Sequence, residues 1–216
     1  MAVQLQSAIM RIGFFGGSFD PPHLGHLSVS RAAANAFALD RVLLAPTGMQ
    51  PLKPGGATAS FEDRLAMVSL LCSSTPGMPE ARLEASALDA PREDGSPNYT
   101  VDALSTLKRT VASSDRIFII VGVDAFLGVR RWKSSRALFD LGEWIVVSRP
   151  GFSSKELASL LNLGPKQLAR VHLLEHLREE ASATNIRALI AAGSDCLGLL
   201  PASILQYIRG HHLYGA

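Results

Sequence analysis

Cysteine is nearly absent: Cys72 and Cys196 are the two in a chain of 216 residues. Two thiols so far apart cannot make the disulfide framework of a small secreted domain, and no neighbour activates either one. Both are expected reduced, in or near the core. Charge of one sign is also scarce. The formal net charge is +2, with no block of Lys and Arg and no interleaved basic and aromatic stretch, which removes the usual grip on a nucleic-acid backbone. No segment approaches the roughly 18 uninterrupted apolar residues of a membrane helix. Met1 to Met10 lacks the basic start, apolar run and small-residue cleavage site of a secretory leader. A cytoplasmic protein with no nucleic-acid or membrane partner is expected, and a homo-oligomer is left open. Any anionic ligand must then be held by cations that occur singly, of which Lys53, Lys133, Arg149 and Arg187 are candidates.

Apolar residues are plentiful, at 47% of the chain, enough for a real core in one domain. Residues 1–216 are read as a single domain, with residues 1–10 a short N-terminal extension. Short apolar runs at Arg11 to Phe15, Arg41 to Ala45, Ile117 to Val121 and Trp144 to Val147 have the length and composition of buried strands. Helical patterns lie between and after them, at Leu27 to Ala38, Phe61 to Cys72, Val101 to Ala112, Ser134 to Phe139, Ser182 to Ala192 and Leu199 to Ile208. Residues 153–178 fit a helix followed by a strand. Such alternation implies an α/β protein, a Rossmann-like parallel sheet with helices on both faces and ligands at the carboxyl ends of the strands. The loops Pro46 to Ala59 and Asp89 to Asn98 are long enough to serve as a site wall or lid.

One stretch carries chemistry. Phe14-Phe15-Gly16-Gly17-Ser18-Phe19-Asp20-Pro21-Pro22-His23-Leu24-Gly25-His26 places two glycines at a strand end and two histidines just beyond. Glycines let backbone N–H groups approach an anion, and the helix that follows aims its own free N–H groups at the same place. Asp20 is expected to cap that helix, with Pro21 and Pro22 in its first positions and His23 and His26 on one face. A bare H-x-x-H is more often two ordinary histidines, and a zinc pair lacks a third ligand cluster. Farther on, Ser182-Ala183-Thr184-Asn185-Ile186-Arg187 opens a helix with hydroxyls: Ser182 or Thr184 can cap, and Arg187 can fork onto phosphate oxygens.

The first stretch resembles the G-G-[ST]-F-D-P-x-H-x-G-H signature of the H-x-G-H nucleotidyltransferases, and within them is most similar to the bacterial nicotinate-nucleotide adenylyltransferases. Ala181 to Arg187 is similar to that family's I-S-[AS]-T-x-[IV]-R triphosphate turn, with Ala181 in place of Ile. Val121-Gly122-Val123-Asp124 resembles its G-x-D turn, Arg149-Pro150-Gly151 its R-P-G segment, Pro97-Asn98-Tyr99-Thr100 its [PS]-x-Y-T segment, and Trp132 its tryptophan after the G-x-D turn. The likeness runs from Gly13 to Tyr214.

The resemblance implies adenylyl transfer from ATP to nicotinate mononucleotide, with Mg²⁺ carried on the ATP phosphates and no metal ligand from protein side chains. By the same analogy His23, His26, Lys53 and Arg187 are catalytic. Phe15, Gly16, Gly17, Gly25, Gly122, Asp124, Arg149, Ser182 and Thr184 would hold ATP, and Ser18, Phe19, Tyr99, Thr100 and Trp132 the mononucleotide. Where the family carries P-P-H-[KR], this chain reads Gln50-Pro51-Leu52-Lys53, so the charge is kept and the histidine is not.

Three alternatives stand beside that reading. Phosphopantetheine adenylyltransferase or a cytidylyltransferase would share the phosphate motifs, although the first usually carries T-x-G-H. A regulatory nucleotide-binding module would keep the fold and lose the chemistry. A dehydrogenase would need G-x-G-x-x-G, which Gly16-Gly17-Ser18-Phe19 does not supply.

Overall fold

The run Ile117–Val121 alternates faces with the two-residue period of a strand. Ile117, Ile119 and Val121 pack into one apolar cluster, while Phe118 and Ile120 pack into another. Both faces are therefore buried, as a parallel sheet with helices on either side requires. The computed structural model describes residues 9–51, 55–74, 82–148, 153–175 and 182–216.

Strands β1 (Arg11–Gly17), β2 (Arg41–Pro46), β3 (Arg82–Ala85), β4 (Arg116–Gly122), β5 (Glu143–Ser148) and β6 (Val171–Glu175) form one sheet in the order β3-β2-β1-β4-β5-β6. Every pairing is parallel. Helices α1 (Leu24–Ala36), α2 (Phe61–Ser73), α8 (Ala183–Ala191) and α9 (Ala202–Gly210) cover one face. Helices α3 (Thr100–Thr110), α4 (Val123–Phe126), α5 (Ser135–Leu141) and α6 (Ser154–Leu161) cover the other, and α7 (Pro165–Leu168) leads into β6. Strand order reverses direction between β1 and β4, which opens a crevice beyond their carboxyl ends. Among the described residues no helix is long and apolar enough to cross a membrane.

The expected strands are present, each longer by one or two residues. Strand β3 has no counterpart in the sequence reading. Arg-Leu-Glu-Ala contains no β-branched or aromatic residue and lies at the sheet edge, partly exposed, so burial never imprinted an apolar run on it. Helix α9 begins at Ala202 rather than Leu199, with Pro201 in the capping position. Residues 153–175 hold two helices before the strand instead of one.

Asp20 requires a correction. It does not cap α1, whose capping residue is His23. Its carboxylate is buried, 2% exposed, and has other partners. It accepts the N–H of Thr58 at 2.7 Å, the N–H of Ala59 at 3.0 Å and the hydroxyl of Tyr214 at 2.8 Å. Burial alone would raise its pKa; the two N–H groups, the Tyr214 hydroxyl and the nearby Arg187 more than offset that, and the carboxyl stays below its ordinary range. Burial first, and then the charge and hydrogen bond of Asp20 itself, push the Tyr214 phenol up, against the opposing pull of Arg187 and Arg64.

Buried Arg64 of α2 completes the turn, donating from Nη1 to the Ser18 carbonyl at 2.7 Å and from Nε to the Ala59 carbonyl at 3.3 Å. Asp20→Asn is expected to cost about 3 kcal/mol, because an amide offers its own N–H to a backbone donor inside the protein. Tyr214→Phe removes one bond and is expected to cost about 1 kcal/mol. Urea unfolding of both variants reads the difference, and equal stabilities would remove Asp20 from its place as the anchor of this turn.

Candidate active site

Strand β1 ends in Gly16 and Gly17 at the crevice, and both line its cavity. The chain then turns through Ser18 and Phe19. Phe19 takes a positive φ of 48° and is 1% exposed, its ring closed into the core against Phe15 and His26. It therefore offers a ligand its backbone rather than its ring.

Helix α1 starts immediately after. The backbone N–H of His23 donates to Nδ1 of His26 at 3.1 Å, and the two rings lie 3.8 Å apart between centroids. Gly25 is buried in the same turn. Burial first, and the adjacent His23 second, hold the pKa of His26 well below its ordinary value, so the ring is neutral at pH 7. A neutral imidazole has one proton. With Nδ1 accepting from His23, that proton is on Nε2, so this ring presents a donor.

Arg187 reaches the same turn from a point 167 residues away. Ser182 caps α8, its hydroxyl accepting the N–H of Asn185 at 3.2 Å. One turn on, Arg187 donates from Nη1 to the Asp20 carbonyl at 2.7 Å and from Nη2 to Thr184 Oγ1 at 3.4 Å. Its Nη1 is 3.8 Å from the Asp20 carboxylate, and the arginine side chain keeps a quarter of its surface open. Two adjacent imidazoles, an arginine and the first turns of α1 and α8 thus form one locus suited to phosphate oxygens.

On the opposite face of β1 lies a cavity of about 440 Å³. Phe14, Ile119, Val121 and Leu138 give it apolar walls, and Tyr99, Thr100, Trp132, Lys133 and Asp124 supply its polar and aromatic rim. Trp132 packs toward buried Trp144, with centroids 6.0 Å apart. Nζ of Lys133 stands 4.2 Å from the center of the Tyr99 ring and 3.5 Å from the Asp102 carboxylate. An apolar slot with aromatic edges suits a flat ring.

Of the residues singled out from sequence, Gly16, Gly17, Tyr99, Thr100, Asp124 and Trp132 line this cavity. His23, His26, Ser182, Thr184 and Arg187 gather at the phosphate locus, Phe15 stacks toward His26, and Ser18 Oγ donates to Gln50 Oε1 at 3.4 Å. Gly122 precedes α4 with open space beside it. Lys53 and Arg149 lie outside the described residues. Sequence reading did not select Thr47, Asp89, Asn98 or Arg131, which also line the cavity. Asn98 fell inside a matched segment at its unspecified position, and Asp89 resembles any loop carboxylate until its burial is known.

A family model described as cytidylyltransferase-like matches residues 14–189. A protein of Solibacter usitatus named "Probable nicotinate-nucleotide adenylyltransferase" is 35% identical over 95% of this chain and 100% of its own length. A protein of the same name from Roseiflexus sp. is 36% identical over 94% and 97%. Among solved structures, the nicotinic acid mononucleotide adenylyltransferase of Plasmodium falciparum, complexed with NaAD, superposes with a TM-score of 0.75 at 18% identity, covering 95% of this chain and 97% of its own. That last likeness is one of fold.

The buried carboxyl of Asp89 titrates unusually. Burial pushes its pKa up to about 6, against the hydrogen bonds of Thr47 and Asn98 that lower it. The folded protein therefore holds this proton to a higher pH than the unfolded chain does. The contribution to stability is complete below about pH 4 and declines as pH rises toward 6. Relative to wild type, Asp89→Asn is expected to gain in melting temperature between pH 4 and pH 6.5 and to hold that gain above. A gap that stays constant across this range would show that the site does not raise the carboxyl.

Proposed function

The chain belongs to the cytidylyltransferase-like nucleotidyltransferases and, within them, to the nicotinate-nucleotide adenylyltransferases, and we infer that it transfers the adenylyl group of ATP to nicotinate mononucleotide. The products are nicotinate adenine dinucleotide and pyrophosphate, in NAD biosynthesis. The observation that carries this reading is the arrangement at the end of β1. A phosphate locus built on His26 and Arg187 lies on one face of the strand, and an aromatic cavity on the other, with Gly16 and Gly17 between them.

The nucleophile is a phosphate oxygen of the mononucleotide, already an anion. It bonds to the α-phosphorus of ATP as the bond from that phosphorus to the bridging oxygen breaks, and the electron pair leaves with pyrophosphate. No protein base is required, so catalysis comes from aligning two polyanions and stabilizing charge on the phosphoryl oxygens. We assign His26 Nε2–H to the α-phosphate, where a fixed neutral donor costs nothing to reorient, with His23 beside it. Backbone groups of Gly16 and Gly17 and the opening turn of α8 at Ser182 and Thr184 hold the rest of the nucleotide. Arg187 holds the pyrophosphate end with Lys53, and Arg149 stands near the adenine of ATP, the last two on the strength of sequence alone. Tyr99, Thr100 and Trp132 take the pyridine ring. Arg131 and Lys133 bring positive charge to the same cavity, which favors a nicotinate carboxylate over a neutral amide.

Among the described residues no three His, Cys, Asp or Glu side chains converge as a metal site. Mg²⁺ would be carried by triphosphate oxygens and water, where it would supply charge neutralization. A reaction that draws on ATP belongs with the cytoplasmic nucleotide pool. We treat residues 1–216 as one catalytic domain, residues 1–10 being an extension to it.

Pyrophosphate release with ATP and Mg²⁺ is expected to be strong with nicotinate mononucleotide, and weak with nicotinamide mononucleotide and phosphopantetheine. Turnover of phosphopantetheine instead would keep the phosphate chemistry and overturn the acceptor cavity, and ATP binding with no turnover would favor a regulatory module. His26→Ala is expected to lower kcat about a hundredfold, the usual loss for one preorganized donor. A drop of less than threefold in folded protein would take His26 out of the mechanism.

A further inference from the structure

Three separate segments wall the acceptor side of the cavity: Thr47, Gln50 and Pro51 after β2, Asp89 after β3, and Tyr99 and Thr100 at the start of α3. The first two leave paired neighboring strands, β2 and β3, but run on beyond the ladder, and the start of α3 lies off the sheet. One side chain joins them all.

Asn98 is 7% exposed, and its amide has partners at both ends. Oδ1 accepts the N–H of Met49 at 2.8 Å. Nδ2 donates to the carbonyls of Asp89 at 3.2 Å and Ala90 at 2.7 Å. Its backbone N–H donates to the Met49 carbonyl at 2.9 Å, and the Gly48 N–H donates to the Asp89 carbonyl at 2.8 Å. One end of the amide faces an N–H and the other faces two carbonyls, so its orientation is dictated by its partners. Aspartate is the same shape and would set an oxygen against two carbonyl oxygens. Gly48 shows how closely the segments meet, since a Cβ there would lie 2.6 Å from Asn98 Oδ1 and 2.6 Å from the Pro91 nitrogen.

We propose that Asn98 is a positioning residue for the acceptor: by clamping the post-β2 and post-β3 loops to the start of α3, it sets the width of the slot that receives the mononucleotide and fixes where the next residue, Tyr99, stands. The proposal rests on the acceptor reading given above. The clamp touches none of the groups at the phosphate locus, which is held from the other face of β1 by Asp20 and Arg64. Its loss should fall on one substrate. A displaced wall of about an ångström is enough to misplace a reactant substantially.

Steady-state kinetics with each substrate varied in turn separates the cases. Asn98→Ala and Asn98→Asp are expected to raise KM for nicotinate mononucleotide about tenfold or more, while KM for ATP and kcat at saturation change less than about threefold. Gly48→Ala attacks the same clamp from the facing strand of chain and is expected to give the same split. The double variant Gly48→Ala with Asn98→Ala should be far less than additive. Asn98→Ser keeps a small polar group and carries the test if the larger changes fail to fold.

Equal rises in both KM values, or unchanged kinetics with only a lower melting temperature, would overturn the clamp and leave Asn98 a general structural residue. A wild-type enzyme inert toward nicotinate mononucleotide would instead overturn the acceptor reading, and this inference with it.

Discussion

A single buried carboxylate holds the phosphate side of the molecule together. Asp20 follows the Gly-Gly end of β1, and its oxygens collect two backbone N–H groups from the segment before α2 and the hydroxyl of Tyr214 near the end of the chain. Its carbonyl takes Arg187. Burying an anion is costly unless its lone pairs are met, and here they are met by groups from three distant parts of the sequence. The arrangement of His23, His26 and Arg187 depends on that settlement, with Arg64 holding the Ser18 carbonyl in the same turn between β1 and α1.

Strand β1 then divides the labor. Its residues alternate between the two faces of the sheet, so Phe14 looks into the acceptor cavity while Phe15 backs His26. The two glycines that end the strand have no side chain to wall one side off from the other. A nucleotide and a flat-ringed acceptor can therefore approach one point from opposite faces of the sheet, which is the geometry that an in-line displacement between two phosphates demands.

Much of this was legible in sequence because it is local or periodic. Ile117 to Val121 declares a strand buried on both faces, and Gly16-Gly17 with His23-Leu24-Gly25-His26 declares a strand end that turns into a helix bearing two adjacent histidines. Ser182 capping α8 was likewise written in a hydroxyl before a helix. What could not be read is what depends on partners distant in the chain. Asp20 carries the composition of a helix cap and becomes an anchor because Thr58, Ala59 and Tyr214 arrive to use it. Asn98 looks like any turn asparagine until Met49 and Ala90 are placed around it. Strand β3 is invisible for a related reason, since an edge strand borrows its conformation from its neighbor β2 more than from its own residues.

The reach of the Asp20 contacts also bears on when the site comes into being. Its partners lie 38, 39, 167 and 194 residues away along the chain. Contacts of such separation are entropically expensive, and the full set exists only once residues near 20, 58, 187 and 214 have been brought together. The signature from Gly16 to His26 can therefore be synthesized, and even coiled into the first turn of α1, before the contacts that fix its histidines exist. The locus proposed for the nucleotide is a property of the finished topology, and a peptide carrying residues 14 to 27 would hold the motif without that locus.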